Sequence, residues 1–307
     1  MDGSIAAPIP DLAPWSQQTL KAPISCVGVG VHSGKRVKLT FRPAAIDHGI
    51  VFRRTDLGME IPARFDRVVD TRLATVIADG EARISTVEHV MAALAGCGID
   101  NAVVEVDGPE PPILDGSAAP FVFLLDCAGM VAQEAQRGTI EILKPVRVSD
   151  GDAFAELRPA IPGMPGLAMA LSIDFPAAAI GRQALSLHVT TASFRAELSH
   201  ARTFALMREI EQLRAAGLAL GGSLDNAVVV DEARVLNPAG LRMPDEFVRH
   251  KLLDAVGDLA LAGSAIHGRF VAHRSGHTLN QRLLQALFAN RAAWREVEPA
   301  QLSLAAE

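Results

Sequence analysis

Two segments of the chain, residues 19–44 and residues 139–160, follow the same pattern. Each runs through alternating and β-branched residues, turns at a pair that contains glycine (Ser33-Gly34 and Asp150-Gly151), and ends on an Arg-Pro-Ala triplet. Alternation on both sides of such a turn predicts a β-hairpin. Because the hairpin occurs twice, we predict that the chain folds into two similarly built halves.

A polar stretch at residues 133–138 separates an apolar segment from the second hairpin, and we place the domain boundary there. The predicted domains are residues 1–135 and 136–307, and residues 1–18, which are rich in Pro, Ala and Ser, are predicted to form a loose arm. A short echo between residues 99–104 and residues 224–229 is either a further sign of repetition or chance.

Helices are predicted at four places where a polar residue precedes an apolar stripe, and they open at Ser85, Thr203, Asp245 and Thr278. Ser85 and Glu88 have the spacing of a capping box, in which a serine and a glutamate three residues apart satisfy the first N–H groups of a helix. Since strands and helices alternate in both halves, the predicted class is α+β.

Charge, hydropathy and cysteine content argue against several classes of function. A net charge of −6 without a Lys/Arg run argues against a nucleic-acid partner. The sequence has no run of about 18 apolar residues and therefore predicts no transmembrane segment. Residues 1–18 do not resemble a signal peptide, so we expect a cytoplasmic protein. The three cysteines are odd in number and lack CxxC spacing, so a zinc site would have to use histidine and carboxylate ligands.

A polar stripe crosses the apolar helix predicted at residues 246–262. His250 and Asp254 are four residues apart and therefore lie on one face of that helix, which Asp258 extends. Two readings remain open at this point: the pair binds a metal, or it is an ordinary polar pair on a partly exposed face.

A third metal ligand is expected at His89, beside Glu88. A catalytic zinc has three protein ligands, and the water that it activates needs a carboxylate that is not a ligand to take its proton. The order Glu-His and the lack of a histidine at residue 93 show that this is not the HExxH motif. The alternative for Glu88 is helix capping.

Two further histidines lie in glycine-containing loops. His277 precedes a predicted helix start and is either a general acid or base or an exposed loop residue. His32 lies in Gly28-Val29-Gly30-Val31-His32-Ser33-Gly34, where the glycines fit a hairpin turn better than a phosphate loop, because no helix start follows.

Long blocks of this sequence resemble the zinc-dependent UDP-3-O-acyl-N-acetylglucosamine deacetylases, the family that catalyses the committed step of lipid A synthesis in Gram-negative bacteria. The resemblance covers nearly the whole chain, from about residue 19 to about residue 292. The blocks are Gly28-Val29-Gly30-Val31-His32-Ser33-Gly34, Ser85-Thr86-Val87-Glu88-His89, Leu114-Asp115-Gly116-Ser117-Ala118-Ala119-Pro120-Phe121, Ala201-Arg202-Thr203-Phe204, Gly221-Gly222-Ser223, the run from Asp245 through His250 to Asp254, and Ser275-Gly276-His277-Thr278-Leu279-Asn280.

The resemblance implies two similar α+β domains, each a layered β-sheet/helix/β-sheet sandwich with a small insert, and it puts a βαβ-like insert near residues 203–231. It also implies a single catalytic metal, Zn²⁺, as the cofactor. Its expected ligands are His89, His250 and Asp254.

The resemblance further implies roles in the reaction. Glu88 is expected to be the base that activates water for attack on the acetamide carbonyl, and His277 the acid that protonates the departing amine. Asp258 is expected to hydrogen-bond and orient His277. Thr203 would stabilise the oxyanion, and Lys251 would contact substrate charge.

The implied substrate is a UDP-sugar with a long 3-O-acyl chain, and the products are acetate and the free 2-amine. Phe204 would pack on the sugar, Phe175 would stack on the uracil, and an apolar groove would hold the acyl chain, although a helix stripe buries apolar residues in any protein. The residues expected to bind substrate are Phe175, Phe204, Met207, Ile210, Val229 and His32. Where many relatives have a lysine near the nucleotide, this chain has Ala153.

The protein is expected to act as a monomer on this small molecule. Two other readings remain open, namely a zinc amidohydrolase for a different acylated sugar and a UDP-sugar-lipid binding protein without turnover. The full set of five proposed zinc and proton-transfer residues favours an enzyme over a binding protein.

Overall fold

The structure, a computed structural model, describes residues 15–298. We call residues 15–136 the N-terminal half and residues 139–298 the C-terminal half. The regular elements of the N-terminal half are β1 (Ser16–Leu20), β2 (Ile24–Val29), β3 (Arg36–Pro43), β4 (Ile50–Arg54), β5 (Met59–Pro62), a 3-10 turn (Phe65–Arg67), β6 (Val68–Asp70), β7 (Val76–Asp79), β8 (Ala82–Ile84), α1 (Glu88–Cys97), β9 (Ala102–Val106), α2 (Ala119–Ala128) and β10 (Met130–Gln136).

The C-terminal half repeats much of this order. Its elements are β11 (Thr139–Ile142), β12 (Val146–Asp150), β13 (Ala153–Arg158), β14 (Leu167–Asp174), β15 (Arg182–Val189), α3 (Thr191–Ser193) with the π-helical turn that follows it (Phe194–Leu198), β16 (Phe204–Leu206), α4 (Met207–Ala215), β17 (Val228–Asp231), β18 (Arg234–Val235), α5 (Glu246–Ala260), β19 (Ala265–His273), α6 (His277–Ala289) and β20 (Trp294–Val297).

The main sheets of the two halves have the same topology. The order is β2-β3-β9-β4-β5 in one, and five of the seven strands of the other have the order β12-β13-β19-β14-β15; its two further strands are β11, which also pairs with β19, and β20. In each, the central strand is antiparallel to the hairpin and parallel to the strand on its other side. Both predicted hairpins are present, and Gly34 and Gly151 adopt positive φ in their turns. The prediction of two similar α+β halves is therefore confirmed.

Each half also carries a small three-stranded insert at the same place in the chain order. These are the antiparallel sheet β6-β7-β8 and the sheet β16-β17-β18, where parallel β16 and β17 flank α4. The second matches the predicted βαβ unit. The first and last strands of each half pair with each other, β1 with β10 and β11 with β20.

Helices α1 and α5 pack against each other where the halves meet, and buried apolar residues of both halves form one continuous core. Gly257 of α5 makes this contact possible, because a Cβ at that position would lie 2.0 Å from the carbonyl oxygen of Glu88 on α1. The helix crossing therefore brings the start of α1 against the C-terminal part of α5.

Predictions for two segments need correction here, and the short echo, which was left open above, can be decided. Residues 1–14 of the predicted loose arm lie outside the described residues, but residues 16–18 belong to β1, where Gln17 hydrogen-bonds Asp47 and Asn101. The helix predicted from Thr203 begins only at Met207, because residues 204–206 pair with β17 as a strand. The echo of residues 99–104 is chance, because residues 102–106 form the central strand β9 whereas residues 228–231 belong to an insert.

The domain limits at residues 135 and 136 stay a prediction. Among the helices of residues 15–298, none has the length and apolar character needed to cross a membrane.

Candidate active site at the meeting of α1 and α5

The start of α1 places Glu88 and His89 inside the protein. The helix begins at Glu88 itself, and no side chain caps it, so the predicted capping box is absent. The carboxylate of Glu88 instead accepts a hydrogen bond at Oε2 from the backbone N–H of Thr75, at 3.0 Å. Glu88 is 3% exposed, and a carboxylate so deeply buried that does not cap its helix is available for chemistry.

Three possible metal ligands from the two halves converge here. His250 and Asp254 lie one turn apart on α5, and His89 faces them from α1; one ligand atom from each lies within 4.8 Å of the others. The Oδ1 atom of Asp254 is 3.2 Å from Nε2 of His250 and 3.5 Å from Nε2 of His89. This buried oxygen has no hydrogen-bond partner, and a cation between the three side chains would satisfy it.

The surroundings hold these side chains in the form that binds metal. Nδ1 of His250 lies 3.0 Å from the carbonyl oxygen of Ala201, which orients the ring so that Nε2 faces Asp254. Oδ2 of Asp254 accepts a hydrogen bond from Nζ of Lys251, at 2.8 Å.

The electrostatic surroundings favour a neutral His250 and an ionised Asp254. Burial lowers the pKa of His250 to about 4 despite nearby Asp254, so the imidazole is neutral at neutral pH. Burial alone would raise the pKa of Asp254, but His250 and Lys251 outweigh it and hold that pKa well below its usual value. Neutral imidazoles and an ionised carboxylate are the ligands that a divalent metal such as Zn²⁺ takes, so the three residues fit such an ion.

A second titratable side chain, that of His277, lies near Glu88. His277 is the first residue of α6; its Nε2 is 3.8 Å from Oε1 of Glu88, and its Nδ1 is 2.8 Å from Oδ2 of Asp258. Burial would lower the pKa of His277, but the carboxylates of Asp258 and Glu88 outweigh it and raise that pKa to about 9. Burial raises the pKa of Glu88. The two groups can therefore share proton-transfer duties.

Two residues of this network were not expected from the sequence. Asp258 also accepts hydrogen bonds from Oγ1 of Thr75, at 2.6 Å, and from Nδ2 of Asn280, at 2.8 Å. Asn280 is one turn from His277 on α6, a spacing that could have indicated it. Thr75 lies just before β7, in no periodic segment, and no local pattern points to it.

Thr203 and Phe204 belong to the C-terminal half, at the start of its insert. The backbone N–H of Thr203 donates to the carbonyl oxygen of Gly116, at 2.8 Å, which ties it to the N-terminal half. The Phe204 ring centroid is 6.2 Å from that of His250 and 5.5 Å from that of Phe175. Phe204 thus adjoins the possible ligand His250, and Phe175 adjoins Phe204.

The remaining expected substrate contacts are distributed over the C-terminal insert and the first hairpin. In the insert, Met207 is exposed, Ile210 is half-buried and Val229 is buried. His32 is half-buried in the turn between β2 and β3, where its Nδ1 has no hydrogen-bond partner.

The turn that holds His32 contacts the C-terminal insert. The backbone N–H groups of Leu220 and Gly221 donate to the carbonyl oxygens of His32 and Val31. The buried carboxylate of Glu110 accepts hydrogen bonds from the backbone N–H groups of residues 32 and 33, at 3.1 Å and 2.7 Å. Glu110, which the sequence did not indicate, therefore fixes this turn.

A possible metal site beside a buried carboxylate and a protonatable histidine is typical of the class of metal-dependent hydrolases. Within that class, a family model described as LpxC, UDP-3-O-acyl N-acetylglycosamine deacetylase, matches residues 17–289. The chain belongs to this family.

Curated relatives agree over most of the chain. A UDP-3-O-acyl-N-acetylglucosamine deacetylase of Anaeromyxobacter sp. (strain Fw109-5) is 52% identical over 283 residues, which are 92% of each chain. Proteins of the same name from Shewanella frigidimarina (strain NCIMB 400) and Acidithiobacillus ferrooxidans (strain ATCC 53993 / BNL-5-31) are 52% and 51% identical. The match to the Shewanella protein covers 92% of this chain and 92% of that protein, and the match to the Acidithiobacillus protein covers 93% of this chain and 94% of that protein.

Proposed function

We propose that this protein hydrolyses the N-acetyl group of UDP-3-O-(3-hydroxyacyl)-N-acetylglucosamine, releasing acetate and the free 2-amine in the committed step of lipid A biosynthesis. Its membership of the deacetylase family supports the reaction. The observation that carries the proposal is the placement of Glu88 and His277, 3.8 Å apart, beside the cluster of His89, His250 and Asp254.

We propose Zn²⁺ as the metal and the three clustered residues as its ligands. When bound, it would supply Lewis-acid activation of water and of the amide carbonyl. The buried, unpartnered Oδ1 of Asp254 supports a cation at this point.

Glu88 and His277 divide the proton transfers. Glu88 is the base that takes a proton from the attacking water, and the N–H of Thr75 holds its other oxygen in place. His277, whose raised pKa keeps it protonated at neutral pH, delivers a proton to the departing amine. An amide nitrogen leaves poorly without that proton, so the acid is as necessary as the base.

Thr203 and Lys251 stabilise negative charge. The hydroxyl of Thr203 donates to the oxyanion, an interaction worth about 3 kcal/mol in such sites. Burial would lower the pKa of Lys251, but Asp254 outweighs it and raises that pKa, so the ammonium stays charged beside the reacting group.

The substrate spans both halves. Phe204 packs on the sugar, Phe175 stacks on the uracil, and His32 in its fixed turn contacts the nucleotide portion. The acyl chain lies along the insert, on Met207, Ile210 and Val229. We also propose that the enzyme acts in the cytoplasm, as a monomer and without a nucleic-acid partner.

Metal removal tests the reaction. A chelator is expected to abolish deacetylation, and Zn²⁺ is expected to restore it, with acetate measured as the product. Full activity of metal-stripped protein would contradict the mechanism. A series of substrates with longer N-acyl groups separates this reaction from that of another amidohydrolase, because preference for a longer group would contradict an acetyl-specific enzyme.

Glu88→Gln separates an enzyme from a binding protein. The variant is expected to lose at least about 100-fold in kcat, the usual contribution of a general base, while its metal content stays unchanged. The isosteric amide cannot accept the proton. Equal turnover in Glu88→Gln and the parent would remove Glu88 from the mechanism.

A further inference from the structure

Thr75 touches both carboxylates that control proton transfer. It is 2% exposed, just before β7 of the N-terminal insert, and all three of its polar groups are used. Its N–H donates to Oε2 of Glu88, at 3.0 Å; its hydroxyl donates to Oδ1 of Asp258, at 2.6 Å; and its carbonyl oxygen accepts from the N–H of Val87, at 3.3 Å. One residue of the N-terminal half thereby joins α1 to α5.

The hydroxyl of Thr75 determines how the Asp258 carboxylate is rotated. Oδ2 of Asp258 accepts hydrogen bonds from Nδ1 of His277 and Nδ2 of Asn280, each at 2.8 Å, whereas Oδ1 accepts one from the threonine hydroxyl. Without that hydroxyl, a buried anionic oxygen would lose its hydrogen bond, which is costly. The carboxylate would then turn to share the remaining donors, and His277 would lose its fixed partner.

The loop around Thr75 also contacts the start of α6. Oγ1 of Thr71 lies 2.9 Å from Oγ1 of Thr278, and the latter also reaches the backbone oxygen of Thr71, at 3.3 Å. Thr278 follows His277 directly. The segment 71–75 therefore holds His277 both through Asp258 and through the backbone that carries it.

We propose that Thr75 is a positioning residue for proton transfer, whose hydroxyl aligns Asp258 and, through it, the proton-donating His277, while its N–H aligns Glu88. This inference rests on the proposed deacetylation. It assigns to the N-terminal insert the alignment of an acid that the C-terminal half supplies. Thr75 acts through other side chains and has no contact with the three possible metal ligands among its hydrogen bonds.

Two comparisons isolate the hydroxyl in the metal-loaded enzyme: the parent with Thr75→Val, and Thr75→Ser with Thr75→Ala. Thr75→Val keeps the shape of the side chain and removes the hydroxyl. Thr75→Ala and Thr75→Ser both remove the methyl group, and they differ only in the hydroxyl. The Val and Ala variants are expected to lose about 10- to 100-fold in kcat, the usual effect of removing an outer hydrogen bond, with KM unchanged. The Ser variant is expected to stay close to the parent.

Thr40→Val is the matched control. Thr40 is also a buried threonine whose hydroxyl bonds another side chain, Ser25 at 2.9 Å, and this pair lies at the end of the first hairpin that is away from the turn holding His32. It is expected to keep the kcat of the parent, so that any loss in Thr75→Val is not the general cost of removing a buried hydroxyl.

A second measurement tests the route through Asp258. In an Asp258→Asn background, Thr75→Val is expected to cost much less than alone, because its partner is already altered. Any one of three results would overturn the inference while leaving the deacetylase intact. They are a kcat equal to that of the parent in Thr75→Val or Thr75→Ala, a loss of kcat in Thr75→Ser equal to that in Thr75→Ala, and full additivity of Thr75→Val with Asp258→Asn. If Thr75→Val does not fold, the Ala and Ser pair decides alone. An inactive metal-loaded parent would instead overturn the proposed function.

Discussion

At the scale of single residues, the proposed chemistry depends on carboxylates that offset the effect of burial on the pKa of a neighbouring group. His277 is the clearest case, because Asp258 and Glu88 raise its pKa to about 9 although burial alone would lower it. An acid must carry its proton to act, so activity is expected to be present below the pKa of His277 and lost as the pH rises through it.

Asp258→Asn should therefore move the basic limb of the pH profile. Loss of the carboxylate removes the charge that favours protonated His277, so its pKa falls, and the basic limb of kcat/KM shifts to lower pH by about one unit or more. The measurement is a pH profile of metal-loaded enzyme. Asp126→Asn, which alters a carboxylate bound to Arg195 on the surface, serves as the control and should not move the limb. An unmoved limb in Asp258→Asn would show that Asp258 does not tune the acid.

Local sequence could indicate some of these residues and not others. His250 and Asp254 are readable because helix periodicity places them on one face, and Glu88 and His89 adjoin a predicted helix start. Thr75 and Asp258 are 183 residues apart in the chain, and only the packed tertiary structure joins them. Glu110 is hidden in the same way, since its partners are backbone N–H groups of a distant turn.

At the scale of elements, the crossing of α1 and α5 sets the distance between the possible metal ligands. His89 lies on one helix, and His250 and Asp254 lie on the other, so a change in helix separation changes the site directly. At Gly257 the backbone of α5 lies directly against the backbone of α1. The nearest backbone atoms to a Cβ there would be the oxygen and carbon of Glu88, at 2.0 Å and 2.8 Å.

Gly257→Ala is expected to destabilise the protein and weaken metal binding. Alanine normally favours a helix over glycine by about 1 kcal/mol, but overpacking of a buried contact costs about 1–3 kcal/mol, and here the atom that would be struck is backbone. Calorimetry and metal titration measure the two effects. Gly138→Ala, whose Cβ would meet only Ser264 Oγ at 3.6 Å, should leave both unchanged. Parent stability and metal affinity in Gly257→Ala would contradict this account of the helix contact.

Element boundaries were the least predictable part of the fold. The hairpins follow from alternation and glycine turns, which are local. The start of α4 does not, because pairing with β17 holds residues 204–206 in a strand despite their helical periodicity. The spacing of Ser85 and Glu88 suggested a cap, but Thr86 adopts a left-handed φ of 56° and the helix begins at the glutamate itself.

At the scale of the whole molecule, the site exists only where the two halves meet. Residue 89 comes from the N-terminal half, whereas residues 250 and 254 come from the C-terminal half. A bound metal therefore joins the halves as well as serving the reaction. The repeated hairpins predicted this two-part architecture, but the contact between the halves depends on packing that no repeat reveals.

Metal is consequently expected to stabilise the folded chain. Binding to the folded state alone adds about 4 kcal/mol when free metal is 1,000 times its Kd, so the Tm of metal-loaded protein should exceed that of stripped protein. Calorimetry at one pH measures the difference. His89→Ala should abolish most of it, since that variant removes the only one of the three clustered ligands that the N-terminal half supplies. A full metal-dependent rise in Tm for His89→Ala would show that the metal binds elsewhere.

The pairing of β1 with β10 and of β11 with β20 bears on how such a chain can originate. Each half starts and finishes on neighbouring strands, and only residues 137 and 138 connect the last strand of one half to the first strand of the next. Two copies of one ancestral gene could thus be fused in tandem with almost no linker. After such a fusion each copy is free to diverge, and here the possible metal ligands are divided, with one imidazole in the N-terminal half and an imidazole and a carboxylate in the C-terminal half.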